Sequence, residues 1–147
     1  MPEPATLRGY IMGFDFGFRR IGVAIGQTAT HTASALETVS HARQPDWAAI
    51  DRLVKEWNPS SMLVGLPLNA EGEETRMSRA ARQFGAALRK RYALDVHFAD
   101  ERLSSQAAES RFIEMRASGE LKRKDSNQLD AMAAQIILEN WLQSING

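Results

Sequence analysis

Tyr10-Ile-Met-Gly-Phe-Asp-Phe16, running through Gly17-Phe-Arg-Arg20 into Ile21-Gly-Val-Ala-Ile-Gly26, is the stretch that decides the fold. The first run reads as a strand, the next four residues as a turn, and the last run as a second strand. Thr32–Ser40, rich in threonine and weakly alternating, is a third strand. Three strands with short connections predict an antiparallel meander. Inside the first strand stands an aspartate. Alternation puts Asp15 on one face and Phe14 and Phe16 on the other. A carboxylate in such a place is costly unless it is paired, hydrogen-bonded or bound to a cation. Gly17 permits the sharp turn that follows. Capping of that turn is the competing reading of Asp15.

Beyond the meander the period changes. Pro45-Asp46 opens a helix whose Trp47, Ile50, Val54 and Trp57 form one apolar stripe, and Asn58-Pro59 ends it. Met62-Leu-Val-Gly-Leu66 is a continuous apolar run of the buried-strand kind. The loop Pro67–Gly72 follows, then a helix over about Glu73–Arg91 with Met77, Ala81, Phe84 and Leu88 inward. Leu94–Ala99 is a fifth strand. A third helix starts near Ser104, the stretch 117–124 reads as a mobile loop, and a last helix covers about Ser126–Gln143, with Leu129, Met132, Ile136 and Leu138 or Asn140 on its inner side. The order β-β-β-α-β-α-β-α-α predicts an α/β fold, a mixed five-stranded sheet with helices on both faces. Residues 1–8 read as a flexible tail and 9–147 as a single domain, without repeats or linkers.

Composition narrows the function classes. The 147 residues suit one core, and 44% hydrophobic with 24% charged residues is ordinary for a globular chain. With no cysteine, disulfides and thiolate metal sites are excluded and zinc is disfavoured. No apolar run can span a membrane, and Met1-Pro-Glu-Pro-Ala5 has neither the basic region nor the apolar stretch of a signal peptide. The expectation is a soluble, cytoplasmic protein with no membrane contact. Lysine plus arginine number 18 and aspartate plus glutamate 18, so the net charge is zero, which weighs against a nucleic-acid binder. Local distribution matters more than the sum. Arg76/Arg79/Arg82 and Arg89-Lys90-Arg91 read as solvated helix faces. Arg19-Arg20 and Lys122-Arg123-Lys124 lie beside acids and carry more weight.

Those acids are the candidate chemistry. Asp100-Glu101-Arg102 follows the fifth strand directly, where a carboxylate can converge with one from a neighbouring strand; a surface salt bridge is the plain alternative. In the last helix Asp130 stands at the edge of the apolar stripe. Asp125 lies five residues earlier, turned about 140° away on a helix of ~3.6 residues per turn, so the two cannot share a site. Asp125-Ser-Asn-Gln128 has capping-box spacing with aspartate in the leading place. Asp125 is therefore read as a cap and Asp130 as a site residue. Carboxylates from separate segments, in a chain without cysteine, suit a hard cation, Mg²⁺ or Mn²⁺. Two such ions ~3.5–4 Å apart support phosphodiester hydrolysis. His31, His41 and His97 show no ligand spacing and receive no role.

Phe14-Asp-Phe-Gly17 with Arg20-Ile-Gly-Val-Ala24, Val64-Gly-Leu-Pro-Leu-Asn69, Asp100-Glu-Arg-Leu-Ser104 and Asp130-Ala-Met-Ala-Ala-Gln-Ile-Ile-Leu-Glu139 resemble, in order, the motifs of the YqgF/RuvX family. The resemblance covers Met12 to Asn140. It implies a ribonuclease H-like fold, kinship with Holliday junction resolvases, and a cytoplasmic nuclease that processes the 5′ end of pre-16S rRNA during ribosome biogenesis. Carried over residue by residue, the catalytic and metal-binding acids are Asp15, Glu101 and Asp130, with Asp100 assisting. Arg20 and Arg102 are expected on phosphates, whose oxygens match the guanidinium fork. Asn69 is expected on the nucleic-acid backbone or in a plain turn. Lys122 and Lys124 are expected to close over nucleic acid. Two departures stand out. Many ribonuclease H-like nucleases carry an acid on the fourth strand, and Met62–Pro67 has none. The last motif usually reads Asp-Ser, whereas this chain has Asp125-Ser126 and, later, Asp130-Ala131; Ile136-Ile-Leu138 sets the register on Asp130.

The implied partners are precursor rRNA or branched DNA, together with ribosome assembly intermediates, for a monomer or a homodimer. Cleavage of four-way DNA junctions needs a dimer, for which the sequence offers no heptad seam. A binding module without catalysis draws on the zero net charge and the missing fourth-strand acid. The phosphate loop of actin-like ATPases also has the Asp-Phe-Gly hairpin, but those proteins need two such domains.

Overall fold

A computed structural model describes residues 9–101 and 126–145, of which 126–128 are described by backbone alone. The elements are β1 (Tyr10–Phe16), β2 (Arg20–Gln27), β3 (Thr32–Ser40), α1 (Trp47–Trp57), β4 (Ser61–Leu66), α2 (Arg76–Tyr92), β5 (Asp95–Asp100) and α3 (Ser126–Ser144). The strands form one sheet in the order β3-β2-β1-β4-β5. β3, β2 and β1 are antiparallel, as the meander predicts, whereas β4 and β5 add in parallel. The expected N-terminal tail, the helix near Ser104 and the loop 117–124 lie outside the described residues.

Alternation divides each strand between two cores. Met12, Phe14 and Phe16 of β1, with Ile21, Val23 and Ile25 of β2, pack with Ile50 and Leu53 of α1 and with Phe84 and Leu88 of α2. Ile11 of β1, Ala24 of β2 and Leu63 of β4 pack with Ala134, Ile137, Leu138 and Leu142 of α3. Helices therefore cover both faces. Burying each large side chain contributes about 1.5–3 kcal/mol, and Phe14, Ile11, Met12 and Leu138 are buried almost completely.

Local signals explain the helix ends. The Asp46 side chain accepts from Ala49 N–H at the start of α1, and Asn58 closes that helix in the left-handed region, with φ 46°. The start of α2 differs from expectation by three residues. Thr75 caps it, accepting from Ser78 N–H, while the Ser78 hydroxyl accepts from the Thr75 N–H. This reciprocal pair satisfies two otherwise orphaned donors and leaves Glu73 and Glu74 outside the helix. The buried side of α3 also differs: Ala131, Ala134 and Leu142 are buried beside the expected Ile136 and Leu138, while Leu129 and Met132 stay partly exposed. The sheet beneath explains this, because Gly22, Ala24 and Gly26 line the α3 side of β2 and let the helix come close enough that small residues fit best.

Candidate active site

The sheet register sets three residues in one row on the α3 side. Asp15 of β1 lies opposite Gly22 of β2. On the other flank Phe14 pairs with Val64 of β4, so Gly65 is level with Asp15. Both glycines are there for space. A Cβ on Gly22 would lie 1.9 Å from the Asp130 backbone oxygen, and one on Gly65 would lie 2.6 Å from Glu101 Oε1. Real side chains do not approach so closely. The two bare positions therefore admit Asp130 from α3 on one side of Asp15 and Glu101, just after β5, on the other.

The electrostatics follow from that crowding. Burial holds the Asp15 carboxyl well above the usual carboxylate range; the Glu101 charge and a side-chain hydrogen bond with Glu101 add to this, as does the Asp130 charge. Burial also raises Glu101; its bond with Asp15 opposes the rise and the Asp100 charge reinforces it. Burial raises Asp130 despite Arg20, whose Nε lies 2.9 Å from Asp130 Oδ2. Burial prevails because the guanidinium is nearly half-exposed and solvent screens its charge. Arg20, at the head of β2, thus has a protein partner in Asp130.

The expected site residues fall into three groups. Asp15 stands within electrostatic reach of both Glu101 and Asp130. Asn69 organises its own loop: its Oδ1 accepts from Glu71 N–H at 3.0 Å and Glu73 N–H at 2.8 Å. Arg102, Lys122, Lys124 and the capping candidate Asp125 lie outside the described residues. Sequence reading missed Gly22 and Gly65. Their signal was available in the alternation, because each falls on the same face as Asp15.

The donor set fits a hard divalent cation. All three side chains offer oxygen only, and their mutual repulsion is what a cation relieves. Among the described residues no three His, Asp or Glu side chains are drawn together closely enough to hold an ion as they stand. Asp130 faces Arg20, and Asp15 shares a hydrogen bond with Glu101.

A sequence model of a family described as "RuvX: Holliday junction resolvase" matches residues 9–144. The chain belongs to the RuvX family. Proteins carrying the name "Putative pre-16S rRNA nuclease" are similar along nearly the whole chain. One from Xanthomonas euvesicatoria is 46% identical over 145 residues, covering 97% of this chain and 94% of its own. One from Hydrogenovibrio crunogenus is 46% identical over 140 residues, covering 95% and 97%. One from Nitrosococcus oceani is 45% identical over 142 residues, covering 96% and 90%. Among solved structures, the T. thermophilus RuvC in complex with a Holliday junction substrate superposes with a TM-score of 0.60 at 18% identity, covering 94% of this chain and 96% of that one. At that identity the likeness concerns the fold, and it agrees with the ribonuclease H-like sheet expected from the RuvX motifs. No helix among the described residues is long and apolar enough to cross a membrane.

Proposed function

We propose that this RuvX protein is a cytoplasmic, divalent-metal-dependent nuclease that hydrolyses phosphodiester bonds at the 5′ end of pre-16S rRNA, on assembling ribosomal particles. One observation carries the chemistry: on a glycine-floored row, Asp15 of β1 lies between Glu101 from the end of β5 and Asp130 from α3, and feels the charge of both. Family membership and the names of the relatives support the substrate.

Asp15, Glu101 and Asp130 are the residues that hold Mg²⁺ or Mn²⁺. When bound, such an ion supplies a nucleophilic hydroxide and charge stabilisation on the phosphate. The chain's own part is positional. The sheet fixes Asp15, while Gly22 and Gly65 set how near Asp130 and Glu101 stand. Because only the carboxylate form would hold such an ion, the raised Asp15 and Glu101 carboxyls would make its binding weaken as pH falls. Arg20, now paired with Asp130, would be the side chain to contact phosphate there, its fork matching phosphate oxygens. Arg102, Lys122 and Lys124 are further phosphate contacts in this reading.

The test is cleavage of a pre-16S 5′ precursor by purified protein. Hydrolysis should need Mg²⁺ or Mn²⁺ and vanish in Asp15→Asn. Equal hydrolysis in excess chelator would contradict the proposal. The family description favours a second reading, junction resolution, and symmetric cutting of a four-way DNA junction with RNA left intact would select it.

A further inference from the structure

The opposite face of β1 carries a feature the acid site does not use. Where β1 turns into β2, an open cleft of about 460 Å³ is lined by Phe16, Phe18, His41, Arg43, Trp47 and Phe84, among others. Its walls are aromatic. Phe16 meets Phe18 edge-on at 6.0 Å and leans on Phe84 at 5.2 Å, and Trp47 stacks on Phe84 at 5.8 Å. Most of this is ordinary core, but Phe18 is not: it is 41% exposed, one of two large apolar side chains so placed among the described residues.

Two observations show that the exposed ring is held in place. The His41 ring sits 5.1 Å from Phe16, and its Nδ1–H donates to the Gly17 carbonyl at 2.7 Å. The His41 backbone N–H donates to the Arg19 carbonyl at 2.9 Å. The turn that presents Phe18 is thus tied on both sides of that residue, so little conformational freedom remains to be lost when a ligand binds.

The charge around the ring points to the ligand. The Arg76 guanidinium stands 5.1 Å from the Phe18 ring centre, Arg43 lines the cleft, and Arg19 is exposed beside Phe18. Among the described residues none of these three arginines has an acidic partner, whereas Arg20, Arg52, Arg82 and Arg91 each sit on an acid. Among the described residues no aspartate or glutamate lines the cleft. An aromatic platform ringed by arginines without acidic partners, one of them already stacked on the Phe18 ring, matches a flat base flanked by phosphates. The cleft also opens at the end of β1 that carries Asp15. Phe16, the residue after Asp15, lines the cleft on the other face of the same strand end.

We infer that the Phe18 cleft is a base-binding subsite, which takes an unpaired nucleobase of the RNA near the bond to be cut. It rests on the nuclease reading for its substrate but not on the metal. It makes the preferred substrate one with a single-stranded nucleotide at the cleavage site, because a paired base cannot offer its face to Phe18.

The test uses the full chain in excess chelator, with a fluorescein-labelled single-stranded oligouridylate followed by anisotropy and by Trp emission, since Trp47 lines the cleft. Phe18→Ala should bind about tenfold more weakly, the cost of losing one stacked base, and Phe18→Trp should restore binding. Wild type should bind an abasic oligomer of equal charge as weakly as Phe18→Ala binds the intact one. Arg43→Ala should flatten the salt dependence while keeping the preference for intact over abasic RNA. Unchanged melting of Phe18→Ala establishes that the fold survives. Equal RNA binding by Phe18→Ala and wild type overturns the proposal and leaves the cleft to a protein partner; so does equal binding of intact and abasic RNA. Phe18-dependent binding without Mg²⁺-dependent cleavage sinks the nuclease reading alone, while cleavage indifferent to Phe18 sinks the subsite alone.

Discussion

Two aspartates of this chain have opposite surroundings. Asp51, on the outer side of α1, accepts from Arg91 Nε at 2.8 Å, from a second Arg91 nitrogen at 2.6 Å and from the Tyr92 hydroxyl at 2.6 Å. The Arg91 and Tyr92 hydrogen bonds bring its carboxyl down to about 2. Asp15, on the inner side of β1, has carboxylates for neighbours and is pushed the other way. The first arrangement ties two helices together in water, where an ion pair adds little. The second keeps like charges together at a cost to stability. A fold retains such a cost where the charges serve a ligand, which is why the crowded acids, rather than the well-paired one, mark the site.

Asp15→Asn should break this contrast most strongly. Cleavage should fall by more than the ~100-fold that loss of an outer-shell partner costs a metal site. The metal-free protein should at the same time melt several degrees higher, because one of the opposed charges is gone. A lower melting temperature would mean that Asp15 is an ordinary structural acid.

Gly22→Ala comes next. Its Cβ would collide with the Asp130 backbone oxygen, and overpacking of this kind costs about 3 kcal/mol. Calorimetry should show Tm lower by roughly 6–12 °C, with cleavage impaired beyond what the lost stability explains, because Asp130 rides on the displaced helix.

The pH response should separate the two aspartates by sign. For Asp15 the folded state binds its proton more tightly than the unfolded chain. Its contribution to stability is full below the unfolded value near ~3.9 and is lost as pH rises through the elevated folded value. In chelator, urea melts should therefore show stability falling as pH rises through that range, and Mg²⁺ should restore it. Asp51 acts in reverse: its contribution is full above ~3.9 and is lost as pH falls through about 2. The smallest effect belongs to Asp51→Asn, which at neutral pH should leave cleavage unchanged and move Tm by no more than a degree or two, as for most exposed pairs.

Much of this was legible in the sequence, and the failures have physical causes. The strands of the meander declared themselves by period, and Asp15 by being a carboxylate in an apolar run. Asp46 and Asn58 marked the ends of α1 by their chemistry. The start of α2 was misplaced because Glu73 and Glu74 look like a first helical turn, whereas the Thr75–Ser78 pair satisfies more donors. The inner face of α3 was half misread because periodicity favours large residues, and a glycine-alanine floor accepts Ala131 and Ala134 instead. The convergence of Glu101 and Asp130 on Asp15 depends on strand order and register, which no local pattern encodes. The Arg20–Asp130 pair joins residues far apart along the chain, so no local pattern announces it, and a guanidinium fork suits phosphate as well as carboxylate.

The most direct test of the account is a crystal of the wild-type protein soaked in Mn²⁺, with anomalous scattering used to locate the ion. The account predicts a peak bounded by carboxylate oxygens of Asp15, Glu101 and Asp130, with Arg20 withdrawn from Asp130. An ion bound elsewhere, with Arg20 still on Asp130 and the Asp15–Glu101 hydrogen bond intact, would contradict it.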